Sequence, residues 1–212
     1  MKQAQRAAYP KDFMIEVASN KSVVRHQLRK ILTDISPSIR HQKSLSACGF
    51  LSASAEFKAA RVIMLFLSTN LEIDTAPLAL KAWQAGKTVV VPKVSWEQRR
   101  MLPMEIDSLQ AGLEIGSGGI REPVGGKPMP IDFIDLVVVP GLGFTANGHR
   151  IGRGMGFYDR FLATPEFIGL SCGLGFEDQV LEQLPVLDHD VPLSMLVTDM
   201  AIRRLATNCI ET

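Results

Sequence analysis

Three short apolar runs set the tightest limit on how this chain folds: RVIMLFLS at 61–68, TVVVPKV at 88–94 and DLVVVP at 135–140. The first is too short and too continuously apolar for anything but a strand buried on both faces, as in a parallel sheet, and the other two repeat the pattern. Parallel strands need crossover segments. From Ser19, SNKSVVRHQLRKILTDI places Val24, Leu28, Ile31, Leu32 and Ile35 at helical spacing behind a Ser/Asn cap, and Pro37 ends that helix. A second helix is predicted over 38–57 through Leu45, Cys48 and Leu51. A third follows the first strand, capped by Asp74 or Thr75, with Pro77 in its first turn and Gly86 at its end.

Further on, MLPMEI (101–106) reads as a weaker strand. Residues 112–130 hold six glycines and three prolines in nineteen positions and read as one long loop. After DLVVVP come a helix near Tyr158–Ala163, a strand near Ile168–Leu174, a short helix EDQVLEQL and a last strand near Met195–Ile202. This alternation predicts an α/β fold with a mainly parallel sheet covered on both faces, in a single domain over 19–212 behind an extension of residues 1–18. Ligands gather at the carboxyl ends of such strands. The stretches LSTNLEIDT, GHRIGRGMGFYDR and LDHDVP fall there and point to one composite site.

With 23 basic and 22 acidic residues the formal net charge is +1, so no global field recruits nucleic acid or an anionic membrane, and an anion must be met by a local cluster. Cys48, Cys172 and Cys209 share no CxxC spacing, which argues against a disulfide framework or a zinc site and fits a reducing cytoplasm. The amino-terminal stretch lacks the apolar segment of a signal peptide, and no apolar run approaches the ~20 residues of a membrane span.

GHRIGRGMGFYDR, residues 148–160, concentrates four glycines and three arginines in thirteen positions. Alternating Gly152, Gly154 and Gly156 expose backbone amides, and Arg150 and Arg153 bring fork-shaped donors suited to phosphate oxygens. A structural loop or a carboxylate-binding loop remains open on the same residues. GKT at 86–88 is no P-loop, because Lys81 stands where the first glycine belongs and a strand follows. Asp159, Asp188 and Asp190 are candidate magnesium ligands; the alternatives are a pairing of Asp159 with Arg160 or a helix cap, and a plain turn over Asp188–Asp190. His149 and His189 read as loop and turn residues. Glu72 lies at the end of a buried strand within reach of a ligand, or serves as a first-turn helix carboxylate.

PGLGFTANGHRIGRGMGFYDRFL resembles the signature of the 5-formyltetrahydrofolate cyclo-ligases, or methenyltetrahydrofolate synthetases, in which PG-x-x-F leads to G-x-R-[LI]-G-x-G-x-G-[YF]-YD. The likeness extends through RHQLR (25–29), FLSTNLEIDT (66–75), AGKTVVVPKV (85–94), GIREP (119–123) and LPVLDHDVPL (184–193). It implies a three-layer α/β/α sandwich. It also implies an ATP- and Mg²⁺-dependent ligase that converts 5-formyltetrahydrofolate, with or without a polyglutamate tail, to 5,10-methenyltetrahydrofolate with release of ADP and phosphate.

By matching position, the resemblance gives Arg25 and Arg29 to the ATP phosphates, and Arg150 with Ile151, Gly152, Arg153, Gly154, Met155, Gly156, Phe157 and Tyr158 to the triphosphate cradle. Asp159 and Asp190 fall to magnesium. Leu67 and Glu72, with Arg153–Phe157, fall to the folate, and Glu72 and Arg153 take the catalytic places. Three positions depart from the family's commoner residues: Arg25 for lysine, Phe157 for the first tyrosine and Met155 for glycine, lysine or arginine. The expected partners are the two substrates, with no nucleic acid and no membrane, and the expected state is a monomer. The competing readings are a paralogue acting on another small substrate and a noncatalytic folate-binding module.

Overall fold

The computed structural model describes residues 20–116 and 119–205. The expected extension and Cys209 lie outside the described residues. Asn20 opens α1 (Lys21–Asp34) by accepting the Ser22 amide at 2.9 Å, and Val24, Leu28 and Leu32 form its buried stripe. Pro37 takes the first position of α2 (Pro37–Ala53), where its missing N–H costs nothing. Ser44, Ala47, Cys48 and Leu51 of α2 are buried, but Leu45, expected on that face, is 47% exposed. Nor is 38–57 one helix. Ser54 is extended and caps α3 (Ala55–Ala59) through the Phe57 amide at 3.1 Å.

The first apolar run forms β1 (Val62–Met64), shorter than 61–68; Leu65 still donates to the Val90 carbonyl, and Leu65, Phe66 and Leu67 stay buried as the chain leaves the sheet. In α4 (Ala76–Gln84) Asp74 accepts the Ala76 amide, while the Thr75 hydroxyl is spent on the Phe66 carbonyl. β2 (Thr88–Ser95) and β3 (Arg100–Ile106) pair antiparallel from Val89↔Ile106 to Ser95↔Arg100, so the strand expected to be weak is fully laddered.

Three further expectations need correction. The loop of 112–130 contains a hairpin, β4 (Leu113–Ile115) with β5 (Arg121–Pro123), whose glycines flank strands too short to show alternation. EDQVLEQL is not a helix. Only Glu177–Gln179 makes a 3₁₀ turn, closed by Gln179 accepting the Phe176 amide, and Val180–Leu181 becomes strand β10, paired with Phe144 and Thr145. The last strand is two, β11 (Met195–Val197) and β12 (Ile202–Arg204), because the Thr198 hydroxyl accepts the Met200 and Ala201 amides and turns the chain. The remaining elements are β6 (Leu136–Val139), β7 (Gly143–Thr145), β8 (Arg150–Ile151), α5 (Phe157–Leu162) and β9 (Leu170–Leu174).

The main sheet runs β12-β11-β9-β6-β1-β2-β3, parallel from β11 to β2 and antiparallel at both edges. Alternate residues divide between two cores. Ile63, Val89, Leu136, Val138 and Cys172 pack with α1, α2 and α4, whereas Met64, Val90, Val137 and Val139 pack with Phe144 and with Phe161 and Leu162 of α5. The result is a three-layer α/β/α arrangement whose second outer layer is thin. From β1 the chain crosses through α4 to β2 on one side; from the neighbouring β6 it crosses through α5 to β9 on the other. Between β1 and β6 the strand order reverses, and their carboxyl ends open into the crevice where doubly wound sheets bind ligands.

Candidate active site

A cleft of about 400 Å³ occupies that crevice. Its lining comes from the chain leaving β1, the ends of β2 and β6, the first turn of α1, the loop from β8 to α5 and the segment before β11. The three stretches expected to converge therefore do so.

At one end the lining is charged. Lys21 donates to Asp190 at 2.5 Å, and the Leu187 amide donates to the same carboxylate at 2.7 Å. Burial favours the neutral acid of Asp190, but the Lys21 ammonium and the Leu187 N–H outweigh it and hold the pKa below the usual carboxylate value. Arg150, its side chain 4% exposed, donates to Asp159 at 2.7 Å and to the Val191 carbonyl at 2.6 Å. Burial pulls the Arg150 pKa down, while Asp159 and Asp190 together oppose the shift, so both carboxylates act on one guanidinium.

Across the floor runs the glycine loop. Arg25 donates through Nε to the Gly152 carbonyl at 2.9 Å, and its guanidinium lies so close to Gly154 that a Cβ there would meet it at 3.4 Å. Gly154 (φ 107°) and Gly156 (φ 64°) occupy the positive-φ region, which side-chain-bearing residues enter at a cost of ~1–2 kcal/mol. Ile151 is buried in the core, Gly152 to Phe157 follow the cleft, and Met155 is 47% exposed. Tyr158 faces the cleft with its hydroxyl buried and without a hydrogen-bond partner; burial, reinforced by Glu72, raises its pKa and keeps the phenol neutral.

The other end is apolar with one polar triad. Phe66, Leu67, Pro92, Val94, Trp96, Met101 and Phe157 line it, and Trp96 meets Phe157 edge-on at 5.3 Å. Glu72 accepts from the Thr69 amide and hydroxyl, both at 2.9 Å, and from Arg153 at 3.0 Å; Arg153 also donates to the Thr69 hydroxyl at 2.6 Å. The glutamate is thus fixed by three donors.

The chain matches the 5-formyltetrahydrofolate cyclo-ligase family over residues 17–199. The chain belongs to that family. It is 28% identical to the 5-formyltetrahydrofolate cyclo-ligase of Mus musculus over 187 residues, 84% of this chain and 92% of the mouse protein. To the enzyme of that name in Escherichia coli K12 it is 32% identical over 142 residues, 66% of this chain and 78% of the relative. The NMR structure of Aquifex aeolicus 5,10-methenyltetrahydrofolate synthetase superposes with a TM-score of 0.75 at 31% identity, covering 91% of this chain and 99% of that one.

Within the cyclo-ligase frame, one expected residue falls outside the site. Arg29 lies on an exposed stretch of α1 and does not line the cleft. The docking of α1 brings its first turn inward, so the pair on the wall is Lys21 and Arg25, one helical turn earlier than the expected Arg25 and Arg29. Arg150 lines the cleft but spends its guanidinium on Asp159 and Val191, which makes it a support for the carboxylate end. Trp96 carried no signal in the sequence, and Phe66 and Thr69 fell inside a stretch expected at the site without being singled out; the sheet topology brings all three beside the glycine loop.

Asp159 and Asp190 form a hard-oxygen donor pair in one cleft. Among the described residues no group of three or more His, Cys, Asp or Glu gathers as a metal cage. Two carboxylates fit magnesium, which is ordinarily bound through one or two carboxylates together with substrate phosphates and water.

Proposed function

We propose that this cyclo-ligase converts 5-formyltetrahydrofolate to 5,10-methenyltetrahydrofolate at the cost of one ATP, releasing ADP and phosphate. The observation that carries the reading is the glycine loop 152–157, which lines one cleft together with two carboxylates, two cationic side chains, an apolar wall and a fixed glutamate. Two ligands laid against one loop meet in its middle. There the formyl oxygen bonds to the γ-phosphorus as the bond to ADP breaks. N10 then closes on the formyl carbon, phosphate departs with the former formyl oxygen, and N10 gives up its proton.

Phosphoryl transfer depends on positioning and charge neutralisation, so no protein nucleophile is required. Lys21 and Arg25 stand at the phosphate end, with the loop amides between them and the reacting centre. Asp159 and Asp190 would hold magnesium, which when bound neutralises phosphate charge; Lys21 and Arg150, now paired with those carboxylates, are the cations this would release. At the folate end the apolar wall takes the flat rings and excludes water. Glu72, held by Thr69 and Arg153, orients the substrate near N10. Arg153 borders both ligands. The buried thiols of Cys48 and Cys172 fit a reducing compartment, which we take as the cytoplasm, and among the described residues no helix is long and apolar enough to cross a membrane.

The test is the absorbance of the methenyl chromophore when protein meets 5-formyltetrahydrofolate, ATP and Mg²⁺, with each omitted in turn. A rise that requires all three supports the reading. No rise from a folded protein that binds ATP moves the assignment to a paralogue with another substrate; tight folate binding without ADP formation moves it to a noncatalytic module.

A further inference from the structure

Arg160, on α5, is absent from the cleft lining yet joins two of its walls. Its Nε donates to the Arg99 carbonyl at 2.8 Å and its Nη2 to the Met155 carbonyl at 2.7 Å. The guanidinium lies 5.3 Å from the centre of the Phe157 ring, and a Cβ on Gly156 would meet Nη1 at 3.1 Å. Arg99 belongs to the turn between β2 and β3 and has a φ of 51°, so one arginine fastens a turn held in the left-handed region. The same turn begins at Trp96, whose ring meets Phe157 edge-on. On the other side, the carbonyl of one residue and the N–H of the next point in opposite directions across a trans peptide. With the Met155 carbonyl turned to Arg160, the Gly156 N–H points away from that guanidinium.

We infer that Arg160 is a positioning residue for both substrates: it sets the Met155–Gly156 peptide so that its amide serves the phosphates, and it holds the Trp96 turn against Phe157 over the folate. The inference rests on the ligand placement proposed above. A guanidinium is needed because two carbonyls in different directions must be met by one rigid fork. Lysine keeps the charge without that geometry.

The experiment uses Arg160→Met, which keeps the aliphatic stem, and Arg160→Lys, in full-length protein. Each is also made in a Trp83→Phe background, so that Trp96 is the only fluorophore of its kind. In Arg160→Met the KM for ATP and the KM for 5-formyltetrahydrofolate are each expected to rise about tenfold, with kcat changing less. Arg160→Lys is expected to fall between wild type and Arg160→Met. Without ligands, Trp96 emission shifts to the red and becomes more accessible to acrylamide in Arg160→Met. A purely stabilising role would lower the unfolding temperature and leave both KM values and Trp96 unchanged, and that result overturns the inference. If Arg160→Met does not fold, Arg160→Lys carries the same readings. An inactive wild type whose Trp96 is still loosened by Arg160→Met sinks the proposed reaction and supports the coupling of the walls; an active wild type with unmoved KM values and Trp96 sinks the positioning role alone.

Discussion

Replacing Glu72 by glutamine exchanges one carboxylate oxygen for an amide nitrogen and leaves the shape almost unchanged. The amide oxygen can still accept from the Thr69 amide and hydroxyl, but the NH₂ group then faces Arg153, donor against donor, where 3.0 Å now separates opposite charges. The pair is partly wet, with Glu72 13% and Arg153 43% exposed. Such pairs are worth about 0.2–1 kcal/mol in stability. If Glu72 served structure alone, losing the same amount from the transition state would lower kcat/KM about fivefold at most. A carboxylate that orients the reacting nitrogen and its proton is worth about a hundredfold or more, close to 2.7 kcal/mol. The two roles therefore separate cleanly in one assay. Initial rates of methenyl formation should show kcat/KM for Glu72→Gln down by about a hundredfold, with thermal unfolding moved by only a few degrees. A loss of about fivefold or less in a protein of unchanged stability would refute the placement of Glu72 at the reacting centre.

Three further outcomes follow from the same geometry. Lys21→Met removes the ammonium that lowers the Asp190 pKa; this pair stabilises the fold above the unfolded carboxylate value and is lost as pH falls through the depressed folded value, so the acid-unfolding midpoint of the variant moves to higher pH. At neutral pH its cost stays near 1 kcal/mol or below, by urea titration. Trp96→Ala is expected to raise the KM for 5-formyltetrahydrofolate about tenfold and that for ATP much less, because it opens the apolar wall beside Phe157. Gly156→Ala places a methyl group at φ 64° and 3.1 Å from Arg160; unfolding should show a loss of ~1–2 kcal/mol, with weaker ATP binding by calorimetry.

Much of this architecture is legible in the chain because burial leaves a periodic trace. Runs such as LVVV in β6 have no polar residue to face solvent, and the observed strand is buried at every position. The glycine loop was legible for a related reason, since its residue types are costly unless something approaches the backbone. Elements whose stability comes from a distant partner left no such trace. Val180 and Leu181 sit in a helix-like pattern, yet Gln179 turns its amide to the Gly141 and Leu142 carbonyls and the chain extends beside β7. The hairpin of β4 and β5 pairs only three residues a side. Lys21, Arg25 and Arg29 share one helix stripe, and which two line the cleft depends on how deeply α1 docks; Leu28 and Leu32 anchor the later turns in the core and leave the first turn at the crevice. Trp96 reaches the site only because β2 outruns β1, whose pairing with it ends at Met64↔Val90.

If the glycine loop brings the formyl oxygen of one substrate onto the γ-phosphorus of the other, that oxygen leaves in the phosphate. The most direct measurement is a single turnover with 5-formyltetrahydrofolate carrying heavy oxygen in its formyl group, followed by mass spectrometry of the released phosphate. The predicted result is one heavy oxygen in the phosphate for each methenyl product formed. Unlabelled phosphate, with the heavy oxygen recovered in water, would contradict it: ATP would then be cleaved by water in a step separate from ring closure, and the shared loop would have lost its chemical purpose.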